Sequence, residues 1–393
     1  MRPAPLPRAA APAALLLVAA TACGPMSHAA IRTELLDPST GRASPPIPER
    51  QPGHLRVAMY GDSQGNTAAH RAVVAAILAE KPDLVLFGGD AIDHLPVGHM
   101  PDWGGWQYAV PIWPQYVRGH AWVSLLTLIP FPAGIHELLL SGAAPPRPLP
   151  DLNGWLTDTA PLREAGIPVL AAMGNHDQYH RVDQEQYARI FSPPGGPELS
   201  PDAFWYAVDR DGWRFLVLDT GPDLFGDRDP MREGGLQLTW LEDRLAEADR
   251  LGLRPVVLLH IPPFSSGRQE GGAPWVERRV VEGVLDRHPV ALVLSGHVHA
   301  YERIVRPGFE GRPVNFVVSG GAGGRFFGPR SPRVEGSQVF VEGVRNFVLL
   351  ELGPDGVRGR VVPVRVPGED WKDPPSPLDA FEATCCARSP SGP

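Results

Sequence analysis

From Leu55 onward, short all-apolar runs alternate with stretches of helical periodicity. Leu55-Arg56-Val57-Ala58-Met59-Tyr60 and Leu84-Val85-Leu86-Phe87 are too short for helices and predict buried strands. Between them Val73, Val74, Ile77 and Leu78 recur at helical spacing, which predicts a helix opening at a Thr67 cap. The rhythm resumes with a strand over 167–173 and a helix over 184–191. Phe204 to Val208 and Trp213 to Asp219 flank Asp209-Arg210-Asp211-Gly212, a β-hairpin signal. A helix over 235–250, a strand over 255–259, a helix through Val276 to Leu285 and a strand over 290–295 follow. Further strands are predicted at 314–319, 339–341, 347–352 and 357–364, and the Pro-rich tail from Pro367 reads as irregular. Strands alternating with helices indicate an α/β class.

Two regions break this rhythm. Residues 94–150 form an aromatic-rich insertion with Trp103, Trp106, Tyr108, Trp113, Tyr116 and Trp122, followed by Leu125 to Pro132. Its prolines and modest length argue against a membrane span. It reads as a lid or substrate wall, with packing onto the body and a membrane-facing patch as the alternatives. Residues 1–26 read as a secretory signal, with Arg2 and Arg8 ahead of an apolar run from Ala9 to Ala22. The segment ends Ala20-Thr21-Ala22-Cys23, similar to a bacterial lipobox, which implies a lipidated Cys23. Residues 27–53 read as a tether, 54–366 as the folded domain and 367–393 as the tail.

Composition narrows the classes. The 393 residues carry a net charge of −8, which argues against a stable nucleic-acid partner. Besides Cys23 the cysteines are Cys385 and Cys386, both in the tail, so neither a metal site nor a nucleophile in the domain uses sulfur. The expectation is an exported protein of the cell envelope or periplasm, anchored to the membrane by lipid at Cys23 or else secreted.

The chemistry sits where strands end. Gly61-Asp62-Ser63-Gln64 follows the first strand, Gly88-Gly89-Asp90 the second, and Gly174-Asn175-His176-Asp177 the strand at 167–173. His260 ends the strand at 255–259, and Gly296-His297-Val298-His299 follows the strand at 290–295. In extended chain, residues i and i+2 face the same way, so both imidazoles of the last block can face one pocket. Ligands in open α/β sheets collect at the carboxyl ends of strands. Asp62, Asp90, Asn175, His260, His297 and His299 are all O or N donors, which suit borderline metals. There are too many for one ion, and they suit two ions about 3.5–4 Å apart that share a carboxylate. His70, His94, His99, His120, His136, His180 and His288 lack this context and read as packing or surface residues.

In these ordered blocks, spanning about residues 55–300, the chain resembles the calcineurin-like metallophosphoesterase superfamily. The stretch GHVHAYER at 296–303, with Leu259-His260-Ile261-Pro262, is similar to purple acid phosphatases. The resemblance implies a four-layer α/β/β/α sandwich with two mixed sheets. It implies that Asp90 bridges two metal ions, that Asn175, His260 and His297 complete one site, and that Asp62 and His299 hold the other. His176 would serve as general acid or phosphate-stabilising group, with Asp177 orienting it. The ions would be divalent or trivalent Fe, Zn or Mn.

One block departs from the family pattern. Gln64 stands where a His is usual, and Asp93 stands where purple acid phosphatases carry a Tyr ligand. Gln64 or Asp93 is therefore expected to supply the missing contact. Gly320-Gly321-Ala322-Gly323-Gly324-Arg325 reads as a tight loop near the site, with Arg325 a candidate phosphate contact. The implied function is metal-dependent hydrolysis of a small phosphate ester, with the protein an envelope phosphatase. The alternatives are a phosphodiesterase acting on nucleotides or lipid headgroups, and a binding protein on the same fold that lost turnover through Gln64.

Overall fold

The computed structural model describes residues 54–93, 106–107, 131–132, 152–178, 181–193, 199, 203–220, 235–268, 271–329, 332–370, 374 and 376–384. Residues 1–53, expected from the sequence to be a signal and a tether, lie outside the described residues, Cys23 among them, as do Cys385 and Cys386. The same holds for the 94–150 insertion except for β3 (Trp106–Gln107) and β4 (Phe131–Pro132), which pair antiparallel.

One mixed sheet begins with β1 (Leu55–Tyr60), β2 (Leu84–Phe87) and β5 (Val169–Ala171), which run parallel. It continues antiparallel from β1 into β13 (Arg345–Gly353), β14 (Gly356–Val364) and β15 (Ala380–Thr384). The other sheet has β7 (Trp213–Val217), β8 (Arg254–Leu258), β9 (Leu292–Ser295) and β11 (Pro313–Ser319) in parallel. It is flanked by antiparallel β6 (Tyr206–Arg210), β10 (Tyr301–Pro307) and β12 (Ser337–Val341).

Period-two alternation decides the layers. Phe215, Val217, Val256, Leu258, Leu292 and Leu294 share a core with β1, β2 and β13 of the first sheet. Their neighbours Leu216, Val257 and Val293 turn the other way, onto Leu238, Leu241 and Leu245 of α5 (Leu236–Leu251). Over the first sheet lie α1 (Thr67–Ala79), α2 (Leu152–Asp158), α3 (Ala160–Glu164) and α4 (Arg181–Phe191). The result is the expected four layers: helices, sheet, sheet, helix.

Several local expectations are corrected. The N-cap of α1 is Asn66, whose side chain accepts from Ala69 N, because the amide of Asn66 reaches the first turn and Thr67 is already inside it. The stretch 274–287 is a three-residue α turn, a π segment and a 3-10 turn rather than one helix. Tyr301–Pro307 is a strand that the sequence pattern did not announce. The tail is not wholly irregular, since β15 adds an edge strand in which Phe381 and Ala383 are buried. Just before it, Asp379 accepts from Arg303 Nε and Tyr301 Oη at 2.7 Å each and ties the tail to the opposite sheet. His70 is a buried packing residue between Tyr60 Oη and Asp158. No helix among the described residues is long and apolar enough to cross a membrane.

Leu258 is fully buried between the sheets. Leu258→Ala is expected to cost about 3 kcal/mol through lost transfer energy and an inter-sheet cavity. A lower urea midpoint at unchanged denaturant slope checks it, and an unshifted midpoint contradicts this placement of the core.

Candidate metal centre

The loops after β1, β2, β5, β8, β9 and β11 meet at the carboxyl ends of their strands. The approach is close enough that glycine is required. A Cβ on Gly174 would fall 2.1 Å from Asp90 Oδ1, and one on Gly296 would fall 2.6 Å from Asp62 Oδ2. The backbone itself is strained. Asp62, Asp90 and His297 adopt φ of 63°, 57° and 69°, left-handed conformations that cost roughly 1–3 kcal/mol each for residues with a Cβ. Cross-loop hydrogen bonds hold all three: Asp62 N donates to Gly89 O, Asp90 N to Asp177 Oδ2, and His297 N to the Asp62 carboxylate.

The six predicted donors converge. Ligand atoms of Asp90, His260 and His297 lie within 4.8 Å of one another. Asn175 Oδ1 is 3.0 Å from His260 Nε2 and 2.9 Å from His297 Nδ1. Asp90 Oδ1 is 3.3 Å from His260 Nε2. On the other side of the cluster, His299 Nε2 is 3.7 Å from Asp62 Oδ1.

The chemistry of these contacts fits a cation. His260 Nδ1 lies 2.7 Å from Gly88 O, so that nitrogen carries the proton and donates it. Nε2 then faces Asn175 Oδ1 and Asp90 Oδ1, both acceptors. Such a contact is favourable only with a proton or a metal ion between the atoms. His299 repeats the arrangement: Nδ1 donates to Arg325 O at 2.7 Å, leaving the Nε2 lone pair toward Asp62.

The titration of these groups follows from burial and mutual charge. Burial alone would raise Asp90, but the His260 and His176 rings outweigh it and hold the carboxyl well below its ordinary range. Burial would lower His260, but the Asp90 charge and hydrogen bond, helped by Gly88 O, raise it. Burial and the neighbouring His260 push His297 well down, and burial pushes His299 down to about 4. Both latter rings are therefore neutral and ligand-ready near neutral pH. Asp177 is raised to about 6 by burial and by the charge of Asp90.

The remaining expected residues are placed differently from their expectations. Asp177 was expected to orient the His176 ring. Its carboxylate instead accepts from Asp90 N, Ala91 N, Ile92 N and Gly174 N, because the left-handed turn at Asp90 aims those amides at it. The carboxylate beside the ring is Asp93, whose Oδ1 is 3.2 Å from His176 Nδ1. His176 Nε2 lies 3.9 Å from Asp90 Oδ2. Asp93 was expected to offer a metal contact, and its placement beside His176 points to the ring instead. Gln64 joins the site through its backbone, with N donating to Asp90 O at 3.0 Å. Arg325 touches the centre through its carbonyl, while its exposed guanidinium lies 6.0 Å from the Phe327 ring centroid. The sequence pattern did not foreshadow Thr220, whose Oγ1 accepts from Ile261 N and steadies the turn after His260. The strand-end position of Leu218-Asp219-Thr220 was the available signal.

For the metal-free protein, a lowered histidine stabilises the fold above the unfolded pKa near 6.5 and loses that contribution as pH falls through its folded value. For His299 the window runs from 6.5 down to about 4. His299→Gln is expected to remove up to about 3 kcal/mol of the stability lost by the wild type between pH 7 and pH 4. Urea unfolding of both chelator-stripped proteins at the two pH values measures it. Parallel losses in the two proteins contradict the assigned environment.

Comparisons with known proteins identify the family. Purple acid phosphatase 23 of Arabidopsis thaliana is 28% identical over 162 residues, covering 40% of this chain and 33% of that protein. A probable cyclic nucleotide phosphodiesterase of Synechococcus sp. is 33% identical over 168 residues, 41% of this chain and 57% of its own length. The match to the Arabidopsis protein thus spans about a third of that relative. Among solved structures, GAP50, the anchor in the inner membrane complex of Plasmodium, aligns with a TM-score of 0.52 at 14% identity over 86% of this chain and 90% of that one. A purple acid phosphatase from yellow lupin seeds aligns at 0.51 with 18% identity, over 82% and 54%. These two likenesses show the fold. The family model for calcineurin-like phosphoesterases matches residues 55–301, the whole span that carries the donors, and the chain belongs to that family.

Proposed function

We propose that this protein hydrolyses small phosphate esters at a dinuclear metal centre. The observation that carries the reading is the convergence of ligand atoms of Asp90, His260 and His297 within 4.8 Å of one another, with Asn175 Oδ1 at 3.0 Å from His260 Nε2 and 2.9 Å from His297 Nδ1. Family membership supports the reaction class. A pair of cations held there would draw in the anionic phosphoryl group and acidify a water at neutral pH.

The residues of the chain take roles that follow from position. Asp90 would be the carboxylate shared by both ions, with His260, His297 and Asn175 available to hold one and Asp62 and His299 the other. Gly88 O and Arg325 O keep the proton on Nδ1 of His260 and His299, so each ring presents Nε2. His176 stands beside Asp90 with Nδ1 3.2 Å from Asp93 Oδ1, placed to stabilise charge on the departing oxygen or to protonate it. Asp177 shapes the loop that presents Asp90. The all-O,N donor set supports Fe, Zn or Mn as the ions. Residues 1–26, with the run ending at Cys23, support export and lipid anchoring at the envelope.

Elemental analysis of the purified protein is expected to give about two ions per chain, as a dinuclear site requires. Hydrolysis of p-nitrophenyl phosphate is expected to vanish on chelation and return with added metal. Asp90→Asn is expected to lower kcat at least about 100-fold, by analogy with removal of a single preorganised electrostatic group. Faster turnover of the bis ester would assign a phosphodiesterase, in line with the likeness to the Synechococcus protein. A metal-free protein inert on every ester would overturn the proposal in favour of a binding role.

A further inference from the structure

Glu302 belongs to the Gly296–Arg303 stretch, and the mechanism gives it no role. It is fully buried on β10. Its carboxylate accepts four hydrogen bonds from neutral donors: Ser265 Oγ at 3.0 Å, Ser266 N at 2.7 Å, Ser266 Oγ at 2.6 Å and Ser337 Oγ at 2.7 Å. Two of those hydroxyls accept in turn, Ser265 Oγ from Gly267 N and Ser266 Oγ from Val334 N, both at 3.0 Å. A buried carboxylate left without such donors bears the full cost of desolvation, so this cluster holds one geometry strongly.

What it holds is the loop over residues 265–268. That loop is stitched to the glycine loop after β11: Gly267 bridges Pro329, and Arg268 N donates to Gly328 O at 3.0 Å. Glu342 pins the same loop from the far side, accepting from Phe327 N and Gly328 N. The glycine loop is in turn the cradle of His299. Arg325 O takes its Nδ1 proton, a Cβ on Gly324 would fall 2.5 Å from its ring, and Phe327 stacks on it at 5.5 Å. His260 is fixed independently, by Gly88 O and by the Thr220 bond to Ile261 N.

We propose that Glu302 is a positioning residue for one half of the metal centre: through Ser265–Arg268 and the glycine loop it sets the orientation of His299 and hence the affinity of the Asp62–His299 site. The inference rests on the dinuclear reading above. Its consequence is asymmetric, since the Asp90–His260–His297–Asn175 site is left alone.

The test is calorimetric titration of chelator-stripped protein with Zn²⁺ alone, for wild type, Glu302→Gln and Glu342→Gln. Glu302→Gln is expected to weaken one of two binding events about 10- to 100-fold, the usual range for a lost supporting contact, and to leave the other unchanged. Glu342→Gln is expected to weaken the same event. A folded Glu302→Gln protein that binds both ions as the wild type does overturns the proposal, and so does equal weakening of both events. If Glu302→Gln fails to fold, Ser337→Ala, which leaves the carboxylate its other three donors, is read by the same criteria. A wild-type protein that binds no pair of ions overturns the dinuclear reading itself, an outcome distinct from a wild-type pair untouched by Glu302→Gln.

Discussion

The centre depends on keeping the Asp90 carboxylate charged while it is buried. An isolated carboxylate out of water is strongly disfavoured, and the fold compensates it with donors from separate loops. His176 N donates to its Oδ1 at 2.9 Å, and the His260 and His176 rings face it. The same geometry turns His260 Nε2 toward the acceptor oxygens of Asp90 and Asn175, a contact that a proton or a cation between the atoms satisfies.

Backbone strain follows from that requirement. Asp62, Asp90 and His297 leave their strands in left-handed conformations. An extended continuation would carry those side chains past the crevice between the sheets, whereas an abrupt turn drops them into it. The strain persists because neighbouring loops over-determine it. Asp177 illustrates the point: its carboxylate gathers four backbone amides and so shapes the turn that delivers Asp90. Behind this shell, Glu302 and Glu342 do similar work for the loops around His299. The centre is thus built in tiers, with carboxylates that meet backbone amides supporting the loops that present Asp90 and His299.

The donor set was legible in the sequence because each donor follows an apolar run whose end can be read from periodicity. Asp62, Asp90, Asn175, His260 and His297 all sit within a few residues of such an end. The helix spacing of Val73, Val74 and Ile77 and the Asp211-Gly212 turn were legible for the same local reason. β15 was not, because a short alternation of Phe381 and Ala383 inside a Pro-rich tail carries little local signal and is settled by pairing with β14. β10 was hidden similarly, since its polar positions Glu302 and Arg303 are satisfied by partners far along the chain: Ser265, Ser266 and Asp379.

Sequence alone pointed to the strand-end donors and to the α/β class, because these depend on local periodicity and residue type, while the four-layer arrangement entered as what the family resemblance implies. Only the tertiary structure decided what each supporting residue does. Asp177 serves the Asp90 loop, Asp93 meets His176, and Arg325 contributes a carbonyl rather than its charge. Hydrogen-bond partners are chosen by direction across loops separated by tens to hundreds of residues, and that information exists only once the chain is packed.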